Sequence, residues 1–163
     1  MLTNRVSLLA WLCIAFGCAL QHEASAQEIS GAAAVVDGDT LMVGGQKVRL
    51  WGIDAPESQQ LCAKAGSRYQ CGSEATAHLR ALVSRGPVRC EVKTYDRYKR
   101  AVAVCRSQGR DVGAEMVHAG WALAFVRYSH EYVGAEAEAR SARRGMWAGT
   151  FDAPWDWRAA GRQ

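Results

Sequence analysis

Apolar positions recur at strand-like spacing over Ile29–Val36, Thr40–Val43 and Gln46–Ile53, and the last two segments flank Gly44-Gly45. A two-residue glycine loop suits a tight primed turn, because glycine tolerates positive φ, so these segments predict a hairpin. Over Ser73–Ser84 the period lengthens. Ala75, Leu79, Leu82 and Val83 share one helical face, with Ser73 as the predicted N-cap and Gly86-Pro87 as the stop. Strand patterning returns over Val88–Thr94 and Ala101–Arg106, around the charged tip DRYKR, and predicts a second hairpin. Two helices are then expected, Gly113–Ala119 ended by Gly120 and Tyr132–Arg144 ended by Gly145 in capping position. The tail APWDWRAAGRQ shows no periodicity. Five short strands, a helix after the third and helices at the end predict an α+β fold: a five-stranded, partly open barrel of the oligonucleotide-binding (OB) type with about three packed helices.

Composition restricts this to one domain. The chain has 163 residues, 49% apolar and 22% charged, without a low-complexity tract. Arg5 precedes an apolar run from Val6 to Leu20, followed by Ala24-Ser25-Ala26, the layout of a secretory signal with mature protein from Gln27. A membrane anchor is disfavoured because spanning needs about 20 apolar residues and this run is shorter, with Gly17 inside it. A lipoprotein site at Cys18 is disfavoured by AFGC, which lacks the usual aliphatic residue. The expected division is residues 1–26 as signal, 27–149 as the domain and 150–163 as a C-terminal tail.

Removal of the signal leaves Cys62, Cys71, Cys90 and Cys105, an even number suited to an oxidising compartment. Zinc is disfavoured because no C-x-x-C pair or H-x-x-x-H pattern occurs. Of the three connectivities, Cys62 with Cys71 closes one short loop. In the second hairpin, the register that faces Val92 with Ala103 also faces Cys90 with Cys105. Those two disulfides are the expectation.

The chemistry begins at DGDTLMVGGQKVRLWGIDAPE, where acidic residues gather around an apolar hairpin. Asp39 starts one strand and Asp54 is expected to end the other, so antiparallel pairing would bring two carboxylates together and require a cation. Hard oxygen donors without thiolate or imidazole point to Ca²⁺ or Mg²⁺, with carbonyls and waters completing the shell. Taken singly, Asp37-Gly38-Asp39 reads more readily as a turn and Asp54 as a loop cap, and their convergence is what favours a site. Arg49 and Arg100 add planar five-donor forks suited to phosphate oxygens and to the charge of a phosphoryl transition state. Glu57, just after Pro56, can position or deprotonate an attacking water. The substrate class is then a phosphodiester.

VVDGDT, VRLWGIDAPE, DRYKRAVAVC, AGWALA and EAEARSARRGMW fall in the order and spacing of the staphylococcal nuclease-like (thermonuclease) family, and the chain resembles that family over nearly all of its mature length. The resemblance implies a five-stranded barrel with three helices and a Ca²⁺-dependent endonuclease, with Mg²⁺ or Mn²⁺ as other possible ions. It implies action on DNA and RNA that leaves 3′-phosphate ends. Arg49, Glu57 and Arg100 stand at its catalytic positions, and Asp39 and Asp54 at its metal carboxylates. Ala55 stands where the family often has threonine; since the family contact is a main-chain carbonyl, alanine retains it. Asp37 is expected behind the ligands, as a partner of them. Arg97 and Tyr98 at the hairpin tip, and Tyr128 near the cleft, are the expected nucleotide contacts. Lys99 replaces the glycine common before the second catalytic arginine, which predicts a different turn there.

The mature chain keeps a net charge of +4, a modest excess that an ordinary solvated surface explains, because Arg5 and Glu23 are the only charges within the signal and cancel. Trp51, Trp121 and Trp147 are expected to pack the barrel and its helices, and Trp155 and Trp157 to fold the tail back. His78 and His118 are expected on helix surfaces. No Walker loop, G-x-S-x-G elbow or dinucleotide fingerprint occurs. The rival readings are an OB-fold module that holds nucleic acid without cutting it, and a metal-stabilised adhesion domain. Retention of all five charged side chains favours catalysis over the first, and the two arginines favour it over the second. The expected setting is periplasmic or secreted, as a monomer without stable membrane association.

Overall fold

The computed structural model describes residues 27–161, so the expected signal at residues 1–26 lies outside the described residues. The main sheet runs in the order β1 (Glu28–Gly31), β8 (Val88–Tyr95), β9 (Ala101–Ser107), β4 (Gln46–Leu50), β3 (Thr40–Val43) and β2 (Ala33–Asp37), with β10 (Arg110–Asp111) on β9. All pairs are antiparallel except β4 with β9, which is parallel. Helices α1 (Cys71–Val83) and α2 (Val112–His118) pack on this sheet, and α3 (Val133–Ser141) packs on α2. The result is the α+β, OB-type architecture that the pattern predicts.

The two hairpins follow their local signals. Gly44 and Gly45 take φ of 54° and 81°, which only a primed turn demands of both positions. In β8 alternation buries Val88 and Cys90 and exposes Arg89 and Glu91, whereas β9, inside the sheet, is buried from Ala101 to Cys105. Val92 faces Ala103 and Cys90 faces Cys105. Both expected disulfides are present, with Cα atoms 5.6 Å apart for Cys62–Cys71 and 4.0 Å for Cys90–Cys105. Leu41, Val48, Leu50, Leu79, Val112 and Met116 form the centre of the core. Among the described residues no helix is long and apolar enough to cross a membrane.

Several expectations are corrected. The strand expected over Ile29–Val36 is two, because the chain leaves β8 after Gly31 and joins β3 from Ala33. The strand expected to run to Ile53 stops at Leu50; a turn at Trp51-Gly52 leads into β5 (Ile53–Asp54), which pairs with β11 (Leu123–Ala124). Helix α1 begins at Cys71 rather than after Ser73, whose hydroxyl instead donates to the Gln70 side chain. Helix α3 ends at Ser141, since Arg143 at φ 51° breaks the helical path before Gly145. At the second hairpin tip Lys99 adopts φ 62°, the left-handed conformation suited to glycine. The tail, which shows no periodicity, holds a short helix, α4 (Pro154–Ala159), and just before it Thr150 bridges to Ala63 in the small ribbon of β6 (Cys62–Lys64) and β7 (Ser67–Tyr69).

Candidate active site

Strand alternation sets the first part of the site. Val48 and Leu50 point into the core, so Arg49 between them projects from the other face, beside the entry to β3. The Asp37 carboxylate accepts from the Asp39 N–H at 3.1 Å and fixes the tight connection between β2 and β3. Arg49 then spans two carboxylates, with Nη1 at 2.8 Å from Asp39 Oδ1 and Nη2 at 2.8 Å from Asp54 Oδ1. The convergence of Asp39 and Asp54 is as expected, but its cause differs. The ladder pairs Thr40 with Arg49, so Asp54 lies beyond the strand and returns through the Trp51-Gly52 turn. The Ala55 N–H donates to Asp39 Oδ2 at 3.2 Å and joins the two segments directly.

Glu57 sits on the following loop, held from three sides. Its N–H donates to the Gln60 side chain at 3.2 Å, and its carbonyl accepts from the Gln60 N–H at 2.7 Å. Helix α1 presses on the same peptide: a Cβ on Gly72 would lie 1.8 Å from the Glu57 carbonyl oxygen, so only glycine permits this approach. The third contact comes from Arg158 on α4, whose Nη1 donates to Glu57 Oε1 at 2.6 Å. The same guanidinium grips Asp54, at 3.2 Å to Oδ1 and 2.7 Å to Oδ2.

These groups surround a cleft of about 570 Å³. Asp37, Asp39, Arg49, Ala55, Glu57 and Arg158 are among its lining residues, and so are Arg97, Tyr98, Arg100 and Tyr128. Asp54 does not line it, being fully buried behind Arg49 and Arg158. Arg100 is held by Asp96, whose Oδ2 accepts from its Nε at 2.6 Å and whose Oδ1 accepts from its backbone N–H at 2.9 Å. The Arg97 and Arg100 guanidinium carbons lie 4.8 and 5.7 Å from the Tyr98 ring centre, and Tyr98 as a residue is 66% exposed. Tyr128 packs against Trp51 and Phe125. Every residue expected at the site therefore meets at this cleft or directly beneath it. Arg158, Gln60, Gly72 and Asp96 were not expected. The available signal for α4 was Pro154, suited to a first helical turn, followed three residues later by Trp157 on the same face.

Burial and ion pairing oppose each other at Asp39, Arg49, Asp96 and Arg158, and burial prevails only at Asp39. Desolvation pushes the Asp39 carboxyl above its ordinary range, with the Asp37 charge in the same direction, while Arg49 and the donors on Ala55 and Thr40 oppose it. Burial would lower the Arg49 pKa, but Asp39 and Asp54 outweigh it and hold the guanidinium charged. Hydrogen bonding to Asp54 raises the Arg158 pKa against the smaller effect of its own burial, and Glu57 raises it further. Desolvation opposes ionisation of Asp96, yet the hydrogen bonds from Arg100 prevail and its pKa is lowered. A desolvated carboxylate pair that already draws in guanidinium charge has the hard-oxygen chemistry that suits a divalent ion, with Asp39 on the cleft wall and Asp54 behind it. Among the described residues no group of three or more His, Cys, Asp or Glu is gathered to hold a metal, so such an ion would need carbonyl or water ligands besides these two side chains.

Comparison with known proteins bears on this geometry. The family model described as "Staphylococcal nuclease homologue" matches residues 47–149, more than half of the chain. A succinoglycan biosynthesis protein, ExoI, of Rhizobium meliloti (strain 1021) is 38% identical over 78% of this chain and 70% of its own length. A micrococcal nuclease of Shigella flexneri is 34% identical over 78% of this chain and 79% of its own. An "uncharacterized endonuclease" of Haemophilus influenzae is 37% identical over 70% of this chain; the match spans 63% of that protein, under two thirds of its length.

Proposed function

Because the chain belongs to the staphylococcal nuclease homologue family, we propose that it is a divalent-metal-dependent endonuclease, exported from the cytoplasm, that hydrolyses phosphodiester bonds of DNA and RNA and leaves 3′-phosphate ends. The observation that carries this reading is Arg49 bridging Asp39 and Asp54 at 2.8 Å each, on a cleft that Glu57 and Arg100 also line. Arg49 and Arg100 bind the phosphate from two sides and meet the charge that grows on its oxygens in the transition state. Glu57 accepts the proton of the attacking water. Tyr98, Arg97 and Tyr128 hold the neighbouring sugar and base by stacking and charge. A divalent ion on Asp39, Asp54 and the Ala55 carbonyl would supply Lewis-acid stabilisation of the phosphoryl oxygen, with Ca²⁺ the ion that family membership favours. The paired cysteines support export to an oxidising compartment.

Incubating the protein with plasmid, single-stranded DNA and RNA, with Ca²⁺ and then with chelator, tests the reading. Cleavage is expected with Ca²⁺ and is lost on chelation. Glu57→Gln should lower the rate by roughly 10²–10⁴-fold. Products should become extendable by a polymerase only after phosphatase treatment. Retention of nucleic acid without cutting would replace the enzyme by a binding module, and neither cutting nor retention would leave a scaffold.

A further inference from the structure

The family match ends at residue 149, yet a segment beyond it enters the cleft. Helix α4 is docked by buried Pro154 and Trp157, and Trp155 packs on Phe125 with ring centres 5.7 Å apart. One turn of helix past Pro154, this anchoring delivers Arg158 to the carboxylates. Its Nη1 donates both to Asp54 Oδ1 at 3.2 Å and to Glu57 Oε1 at 2.6 Å, so a single nitrogen fixes the spacing of two carboxylates that would otherwise repel. The same segment also holds the Glu57 backbone. Gln60 is fully buried, accepts from the Glu57 N–H and donates through Nε2 to the Asp152 carbonyl at 2.7 Å.

We propose that Arg158 is a positioning residue for the phosphodiester cleavage assigned above: it sets the Glu57 carboxylate against Asp54, so that the segment 152–158 completes the active site. This rests on the nuclease reading. Free carboxylate side chains sample several rotamers, whereas a general base must sit within hydrogen-bond reach of the proton it removes. A forked guanidinium with both carboxylates on its edge restricts that freedom. Arg49 does not substitute for it, since it reaches Asp39 and Asp54 but makes no ion pair with Glu57 among the described residues.

The test is a double-mutant cycle with Arg158→Ala and Glu57→Gln, assayed as kcat and KM on single-stranded DNA with Ca²⁺. Tryptophan fluorescence and thermal unfolding check that α4 stays docked. Arg158→Ala is expected to lower kcat by roughly tenfold or more with KM changed less than about threefold, as for a group acting on the reacting arrangement. In the Glu57→Gln background the same change should alter kcat by less than about twofold, because the group it acts through is already disabled. Arg158→Lys, which keeps the charge without the fork, should recover only part of the loss. A cycle on unfolding stability should show Arg158 and Glu57 coupled without substrate. Losses that multiply in kcat, a rise in KM alone, or faster cleavage by Arg158→Ala would overturn the proposal while the nuclease reading stands. No cleavage by the unmodified protein would overturn both.

Discussion

Replacing Arg49 by methionine keeps much of its aliphatic stem and removes the charge that two buried carboxylates share. Asp39 is 5% exposed and Asp54 is fully buried, and each accepts a 2.8 Å hydrogen bond from that guanidinium. Removing one partner of a buried ion pair costs roughly 3–5 kcal/mol, because the other charge stays desolvated. Here Asp54 keeps Arg158, and Asp39 keeps the Thr40 hydroxyl and the Ala55 N–H, which places the loss near the low end, about 3 kcal/mol. For a domain of this size that corresponds to a fall of roughly 10 °C in Tm. The sign of the pH dependence follows from Asp39, whose carboxyl is already raised above its ordinary 3.8 by desolvation and loses its main opposing influence in the variant. Between 3.8 and the raised native value the folded chain binds more protons than the unfolded one, so stability decreases as pH rises through that window. The gap between the two proteins should therefore narrow in acid. Urea unfolding followed by tryptophan fluorescence at about pH 7 and about pH 4 reads both effects. A variant as stable as the parent near neutrality, or a gap that is equal at both pH values, would refute the assignment of Arg49 as the neutralising partner.

Gly72→Ala puts a methyl group 1.8 Å from the Glu57 carbonyl oxygen, so α1 and the Glu57 loop must part; kcat should fall by roughly tenfold or more, since displacement of about 1 Å at a catalytic group has that order of effect. Tyr98→Ala removes the ring of a residue that is 66% exposed; unfolding stability should change by less than about 0.5 kcal/mol, while KM for single-stranded DNA rises by roughly tenfold from the lost stacking. The His78 pKa is lowered from its ordinary 6.5 by desolvation against the pull of Glu115, so its contribution is intact above 6.5 and is lost as pH falls through the native value. Tm measured across that range should drop in the parent and drop less in His78→Gln.

What was legible in the sequence was local. Gly44-Gly45 names its own turn, and the charged tip with facing cysteines fixes the second hairpin, so the Cys90–Cys105 pairing follows from register alone. The meeting of Asp39 and Asp54 was also foreseeable, but through the wrong device. A turn at Trp51-Gly52 carries Asp54 back, and a pattern of apolar residues does not distinguish that turn from two more residues of strand. Helix α3 fails for a similar reason: Ala142 to Arg144 keep helical composition, yet Arg143 turns left-handed so that Gly145 can lie against the backbone of Gly120. Arg158 was illegible because α4 has only six residues, too few to display a period, and its partner Asp54 is 104 residues away.

These two kinds of contact give the site an uneven foundation. Asp39 and Arg49 stand at a strand entry and within a strand of the main sheet, beside the fully buried Thr40, Val48 and Leu50, and so share the stability of the barrel as a whole. Glu57 depends instead on a loop tied by Gln60, on the close approach of Gly72 and on a terminal helix of six residues. Segments with few buried contacts open at lower free energy than the core that carries them. The carboxylate assigned to proton transfer thus depends in part on a short terminal helix, whereas Asp39 and Arg49 are carried by the main sheet. Loss of α4 docking would separate these functions, leaving a barrel that still presents Asp39 and Arg49 while the Glu57 side chain loses its guanidinium restraint.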